Sequence, residues 1–267
     1  MIGKSSPGFP CSAQNDNEAM TPDQLIAALA LPVGPPPRRV PKASLSDHAP
    51  TAADRRLIDK TLARLDWVAG LTPANIGVPS GEAEGLTIDT INLLSATTRG
   101  PMPPRLAEIL HRAIPKPVIL IHAEEGGGAA SLSLAPKRAA EREAGLVVTT
   151  EVHDSGPLTT ADASFVDTLA LSTLPTRDLA ALYAGLIERV KALAAARMAG
   201  RAFRRAASGQ EAAKWRDAMR ECSALNAEIA AMSAAIQKEQ QLARRVEAGE
   251  AVRQARIRLD KIKVLLE

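Results

Sequence analysis

Apolar positions along the chain follow two periods. A short period organises the middle and a long one the C-terminal third. From Leu106 to Arg138 the pattern reads as a helix to Ile114, a Pro-Lys-Pro break, and the apolar run Val118-Ile119-Leu120-Ile121. Four apolar residues bounded by Pro and Gly are too few for a helix and suit a buried strand. Gly126-Gly127-Gly128 then turns the chain into Ser131-Leu132-Ser133-Leu134, which alternates polar and apolar like a strand with one buried face. A glycine link between two such runs predicts an antiparallel hairpin.

The elements around this hairpin follow by the same rules. Thr21-Pro22-Asp23-Gln24 is a capping-box start for a first helix, with Met20 and Leu25 placed as a hydrophobic staple. Thr51, with Asp54 three residues on, caps a second helix. Its face is Leu57, Ile58, Leu62 and Leu65, and Trp67 stands at its end. Gly81 to Gly85 predicts a turn, Thr87 to Thr97 a strand, and Leu146 to Val152 a further strand. Phe165 to Leu174 predicts a short helix. Thr176 is placed to cap a longer one with Leu179, Leu182, Leu186, Val190 and Leu193 on one face. The expected fold class is α+β: a small, mostly antiparallel sheet with packed helices and a long helical, coiled-coil C-terminal arm.

The arm is read from the long period. Cys222, Leu225, Ile229, Met232 and Ile236 repeat at 3, 4, 3, 4, and Ala243 and Val246 extend that coiled-coil seam. The stripe breaks at Gly249 and resumes in another register through Val252, Ala255, Leu259, Ile262 and Leu266. Two antiparallel helices and a stutter in one helix both account for the shift. The expected organisation is a disordered tail over 1–19, an α/β body over 20–207 and the arm over 208–267.

Charge sharpens this division. From residue 188 onward, 17 Lys and Arg stand against 10 Asp and Glu, whereas the remainder is acidic, 16 against 20. A basic region on an acidic body suits nucleic acid or an acidic protein surface, and interleaved acids also make it a solvated helix face. Arg201, Arg204, Arg205, Arg244 and Arg245 are its candidate phosphate contacts. Aromatic residues are only 2% of the chain, which argues against a base-stacking platform. Cys11 and Cys222 make no disulfide framework and point to a reducing, cytoplasmic setting. No run long enough to span a membrane is read, and no signal peptide.

Catalytic chemistry is sparse. Gly126-Gly127-Gly128 leads into a strand, so it lacks the helix N-terminus of a phosphate loop. His48, His111, His122 and His153 have no metal-ligand spacing, and no Gly-x-Ser-x-Gly elbow occurs. Neither cofactor nor metal is expected. Arg112, Lys116, Lys137 and Arg138 form a candidate basic patch at a strand end, or else a solvated edge. Asp89, Glu124 and Lys137 are the best available assembly for a cryptic metal-dependent nuclease, without the close Glu-x-Lys spacing such sites favour.

Four blocks carry a resemblance. They are Asp66-Trp67-Val68-Ala69-Gly70-Leu71-Thr72-Pro73-Ala74-Asn75-Ile76, the run Leu110 to Leu120, Ser133 to Arg138, and Lys238 to Arg244. Together they resemble the bacterial family called domain of unknown function 4391, from about Leu31 to the C-terminus. The chain departs from the family pattern at Lys116, where the family has an aromatic, and at Pro136, where it has His. The resemblance implies a neighbourhood of helicases and DNA methyltransferases in phage-defence clusters, and no catalytic residues. The expected function is therefore a non-catalytic accessory subunit of a helicase–methyltransferase defence or restriction-like system. Partners would be the helicase or methyltransferase, DNA, or a second copy through the arm, with no membrane. A DNA-binding adaptor and the cryptic nuclease are the alternatives.

Overall fold

The computed structural model describes residues 17–46, 48–140 and 147–266. The tail expected over 1–19 lies outside them up to residue 16. In chain order the elements are α1 (Pro22–Ala28), β1 (Arg38–Arg39), α2 (Lys42–Ser46), α3 (Ala52–Thr61) and β2 (Leu62–Leu71). Then come α4 (Pro73–Ile76), β3 (Gly81–Ala83), β4 (Leu86–Ile88), β5 (Ile91–Thr98), α5 (Pro104–Ala113) and β6 (Val118–Glu124). β7 (Ser131–Leu134), β8 (Lys137–Ala139), β9 (Val147–Thr149), β10 (His153–Asp154), α6 (Ala163–Val166), α7 (Leu179–Ala199), α8 (Gly209–Lys238) and α9 (Leu242–Lys263) complete the chain.

The main sheet has the order β1-β2-β5-β6-β7-β10. Its neighbours are antiparallel except β5 and β6, which run parallel because α5 crosses between them. β6 is the spine. Ile119 and Ile121 face one layer, with α1, α6 and α7; Val118 and Leu120 face the other, with α2, α3 and α5. Burial on both faces explains why this strand reads as an unbroken apolar run. The glycine turn does close the predicted hairpin, pairing Ile119 with Leu134 and His122 with Ser131.

Two caps form as their residues require. Thr21 Oγ1 accepts from Gln24 N at 3.2 Å while Thr21 N donates to Gln24 Oε1 at 2.7 Å. Thr51 Oγ1 accepts from Asp54 N at 3.1 Å. Asp54 is also held by both arms of the Arg105 guanidinium, at 2.8 and 2.9 Å, which ties α3 to α5. Hydrogen bonding from Arg105 holds its carboxyl down to about 2.

The second helix ends earlier than its pattern implies. It stops at Thr61, and Leu62 to Leu71 is a ten-residue strand rather than a helix end. The pairing slips by one residue between Leu62 and Arg64, and again between Trp67 and Ala69. Such a bulge puts Leu62 and Leu65 on one face of a strand at a spacing of three, which imitates a helix. The strand expected over 87–97 is broken into β4 and β5, and β3 and β4 form a separate hairpin. Its turn takes Glu84 and Gly85 at φ 49° and 74°, the conformation of a two-residue type I′ link. β9 pairs with β8 outside the main sheet, and residue 146 of the expected strand lies outside the described residues. The short helix expected over 165–174 is one turn of α-helix followed by two 3-10 turns. Asp178, not Thr176, caps α7, accepting from Ala181 N at 2.7 Å.

One buried tyrosine joins the layers. Tyr183 Oη accepts from Ala135 N at 3.0 Å and donates to Val118 O at 2.9 Å, inside the sheet. Tyr183→Phe leaves the Ala135 N–H without its partner and is expected to cost about 1–3 kcal/mol. Urea denaturation checks this; an unchanged midpoint would refute it.

Candidate functional site

Polar chemistry collects where α5 crosses the β6–β7–β10 edge. On this face β6 presents Leu120 and His122, paired with Ser133 and Ser131 of β7, and Ser133 pairs with Asp154 of β10. The serine phase of β7 is therefore not a solvent face: Ser131 and Ser133 are both buried. His111 lies in the apolar arc of α5 and descends onto them. Its Nε2 is 3.0 Å from Ser133 Oγ, and His122 Nε2 is 2.7 Å from Asp154 Oδ2. Lys137 enters from β8, donating to His111 O at 2.6 Å, to Ile114 O, and to Thr149 Oγ1 at 3.4 Å. It thus caps the last carbonyls of α5 as a cation does at a helix C-terminus.

Burial sets the charge states. It is the main cause that pushes His111 down to about 3, with the Lys137 charge adding to it and Asp154 opposing. Burial likewise holds Lys137 down to about 8. His111 and Ser133 make the contact of a general base with a hydroxyl, but both are 0% exposed. His111 Nδ1 has no partner among the described residues, since Asp154 is engaged by His122. A relay needs the acid on that nitrogen. The network reaches solvent mainly at Asp154, whose side chain is 34% exposed. The Ser133 hydroxyl beside His111 is therefore closed off from a substrate.

Two expected groupings are corrected here. Arg112, Lys116, Lys137 and Arg138 do not make a solvent-facing basic patch. Lys137 is buried, Arg112 pairs with Glu108 at 2.9 Å, Lys116 pairs with Asp89 at 2.6 Å, and Arg138 is half-buried on β8. The nuclease assembly does not form either. Asp89 precedes β5, whereas Glu124 sits beside Thr98 at the far end of the same strand pair, about 30 Å away at a strand's rise per residue. Among the described residues no group of His, Cys, Asp or Glu is arranged to hold a metal ion.

The C-terminal stripe resolves into two antiparallel helices. α8 extends about 45 Å from its Ser208 cap, turns at residues 239–241, and α9 returns along it. The break therefore lies ten residues before Gly249, which is mid-helix. Trp215, Ala218, Cys222 and Leu225 of α8 pack with Leu259, Ile262 and Leu266, and both meet Ala192 and Ala195 of α7. Farther out, Ile229, Met232 and Ile236 are half-buried. Ala243 and Val246 do not continue the seam: they lie beyond the turn, exposed, Val246 by 66%.

The five arginines fall at both ends of this hairpin. Arg201 and Arg204 lie over the Trp215 ring, 5.4 and 4.6 Å from its centre, and Arg204 also pairs with Glu211 at 2.8 Å. Arg205 is exposed beside them, whereas Arg244 and Arg245 are exposed near the turn. His111, Ser133, Thr149 and Asp154 escape sequence reasoning. His111 within an apolar helix arc is the one available signal.

Among the described residues no helix is long and apolar enough to cross a membrane. No curated protein and no solved structure matches the chain. One family model does, Domain of unknown function (DUF4391), over residues 35–259. That span covers every strand of the sheet, all of α7 and α8 and most of α9, so the chain belongs to the DUF4391 family.

Proposed function

We propose that the protein is a non-catalytic accessory subunit of a bacterial helicase–DNA methyltransferase defence or restriction-like system, acting in the cytoplasm. The α8–α9 hairpin is its docking arm, and a partner helix would complete a coiled coil on it. The observation that carries this reading is the gradient along the seam. Cys222 is fully buried at the root, whereas Ile229, Met232 and Ile236 farther along α8 are only half-covered. Two helices alone leave the outer seam unfinished, and a third apolar helix would finish it. The implied gene neighbourhood supplies the partner.

The test is co-expression with the neighbouring helicase and methyltransferase, comparing the native chain with Met232→Asp/Ile236→Asp. Charges at a buried anchor typically cost about 2 kcal/mol or more, so recovery of the partner should fall about 30-fold or further. Undiminished co-purification of a variant with native helix content would overturn the docking reading.

The basic charge of the C-terminal region favours a second reading, a DNA-binding adaptor. Arg244 and Arg245 are solvent-facing near the turn. Binding through them would weaken with salt at a log–log slope of about −0.9 per phosphate contact on duplex DNA. Absence of DNA binding at low salt would end this reading.

A further inference from the structure

A groove of about 540 Å³ runs between α7 and the first turns of α8. Small residues make it: Ala181, Ala184 and Gly185 on one wall, Gly209 and Ala212 on the other. Its charge is one-sided. Arg177, Arg189, Lys191, Arg205 and Arg216 line it, with Glu188 as the one acid among the lining residues. Arg177 is paired with Asp178 at 2.7 Å and Lys191 with Glu188 at 3.6 Å. Arg205 and Arg216 have no carboxylate partner among the described residues and are exposed along the groove.

Arg189 is the unusual member. It is 2% exposed and has no acid partner among the described residues. Its donors go to the carbonyls of Thr168 at 2.8 Å, Gly185 at 2.8 Å and Thr173 at 2.5 Å. Burial, and after it the charge of Arg205, holds it down to about 10. Two guanidinium groups that repel each other beside an open groove are an arrangement an anion relieves. Glu211, the acid in the first turn of α8, is turned to Arg204 and the Ala207 N–H and lies off the groove lining. The positive end of the α8 dipole adds to the same field.

We propose that this groove binds a phosphate ester, with Arg205 and Arg216 gripping the phosphate and the Ala/Gly walls taking the rest of the molecule. Planar guanidinium forks match phosphate oxygens in pairs, and the volume fits a nucleotide-sized ligand. The phosphate could come from a free nucleotide or from the 5′ end of a nucleic-acid strand. The inference is independent of the docking reading. Met232 lies about 30 Å along α8 from Ala212, so either can fail alone.

The experiment is isothermal titration calorimetry on the full chain with pyrophosphate, ATP and a 5′-phosphorylated single-stranded decamer. Binding of ATP identifies a free phosphate ester, and binding of the decamer alone identifies a strand end; binding of pyrophosphate alone shows a bare anion grip and overturns the ester reading. In both cases Arg205→Ala/Arg216→Ala should weaken binding at least tenfold at native helix content. Ala212→Trp, which keeps every charge but fills the groove, should weaken ATP or the decamer similarly. No binding of any probe, or a double variant that binds as the native chain does, overturns the proposal. So does an Ala212→Trp variant with native affinity, because the charges would then act as a diffuse surface.

Discussion

Lowering the pH from 6.5 to 3 is expected to remove on the order of 4 kcal/mol of folding stability through His111 alone. The group is 0% exposed, and burial, reinforced by the neighbouring Lys137 charge, pushes it from 6.5 down to about 3. Between those values the unfolded chain binds a proton that the folded chain refuses, so stability rises with pH across the window. The contribution is whole above about pH 6.5 and is lost as the pH falls through 3. Each tenfold drop in proton affinity on folding corresponds to about 1.4 kcal/mol. Lys137 behaves with the same sign at the other end. Its value falls from 10.5 to about 8, so stability is gained as the pH rises from 8 toward 10.5. Urea denaturation at pH 6.5 and 4, on the native chain and His111→Gln, isolates the first effect. Asp54, held down to about 2, also loses stability in acid, but it does so in both proteins. The native chain should lose about 3 kcal/mol more than the variant between pH 6.5 and 4. Parallel losses would show that His111 is already charged or hydrated in the fold.

This site also marks where reading the sequence stops working. The Thr21 and Thr51 caps, α5, the apolar run Val118-Ile119-Leu120-Ile121 of β6 and the glycine hairpin are legible because each leaves its mark within a few consecutive residues. The serine phase of β7 is readable as polar but not as buried, because its burial depends on α5 and β10, which arrive from elsewhere in the chain. β2 misleads for a related reason. Its bulge depends on pairing with β5, and the bulge turns a period of two into an apparent helical step. Lys137 looks like a strand-end cation. Only the α5 carbonyls above it make it a cap. Local rules place the elements, whereas the polar cluster is a product of their packing.

Trp215→Ala is expected to produce the other large effect, about 3–5 kcal/mol, concentrated in the arm. Trp215 is 5% exposed and packs where the root of α8 meets Ala192 and Ala195 of α7, with Arg201 and Arg204 over its ring. Beyond this root, α8 and α9 mainly touch each other, and their outer seam is only half-covered. The hairpin therefore draws its tertiary support from one end, and helices of this length are marginal without such support. Truncating the indole removes packing on α7 and the surface on which two guanidinium groups rest. Native-state hydrogen exchange reads where the loss falls. Amides of α8 and α9 should lose protection by roughly the full 3–5 kcal/mol, while those of β5 and β6 keep theirs. Equal loss in arm and sheet would mean that the two form one cooperative unit. The docking reading would then need a partner that binds the whole body, because an arm inseparable from the sheet cannot respond to a partner by itself.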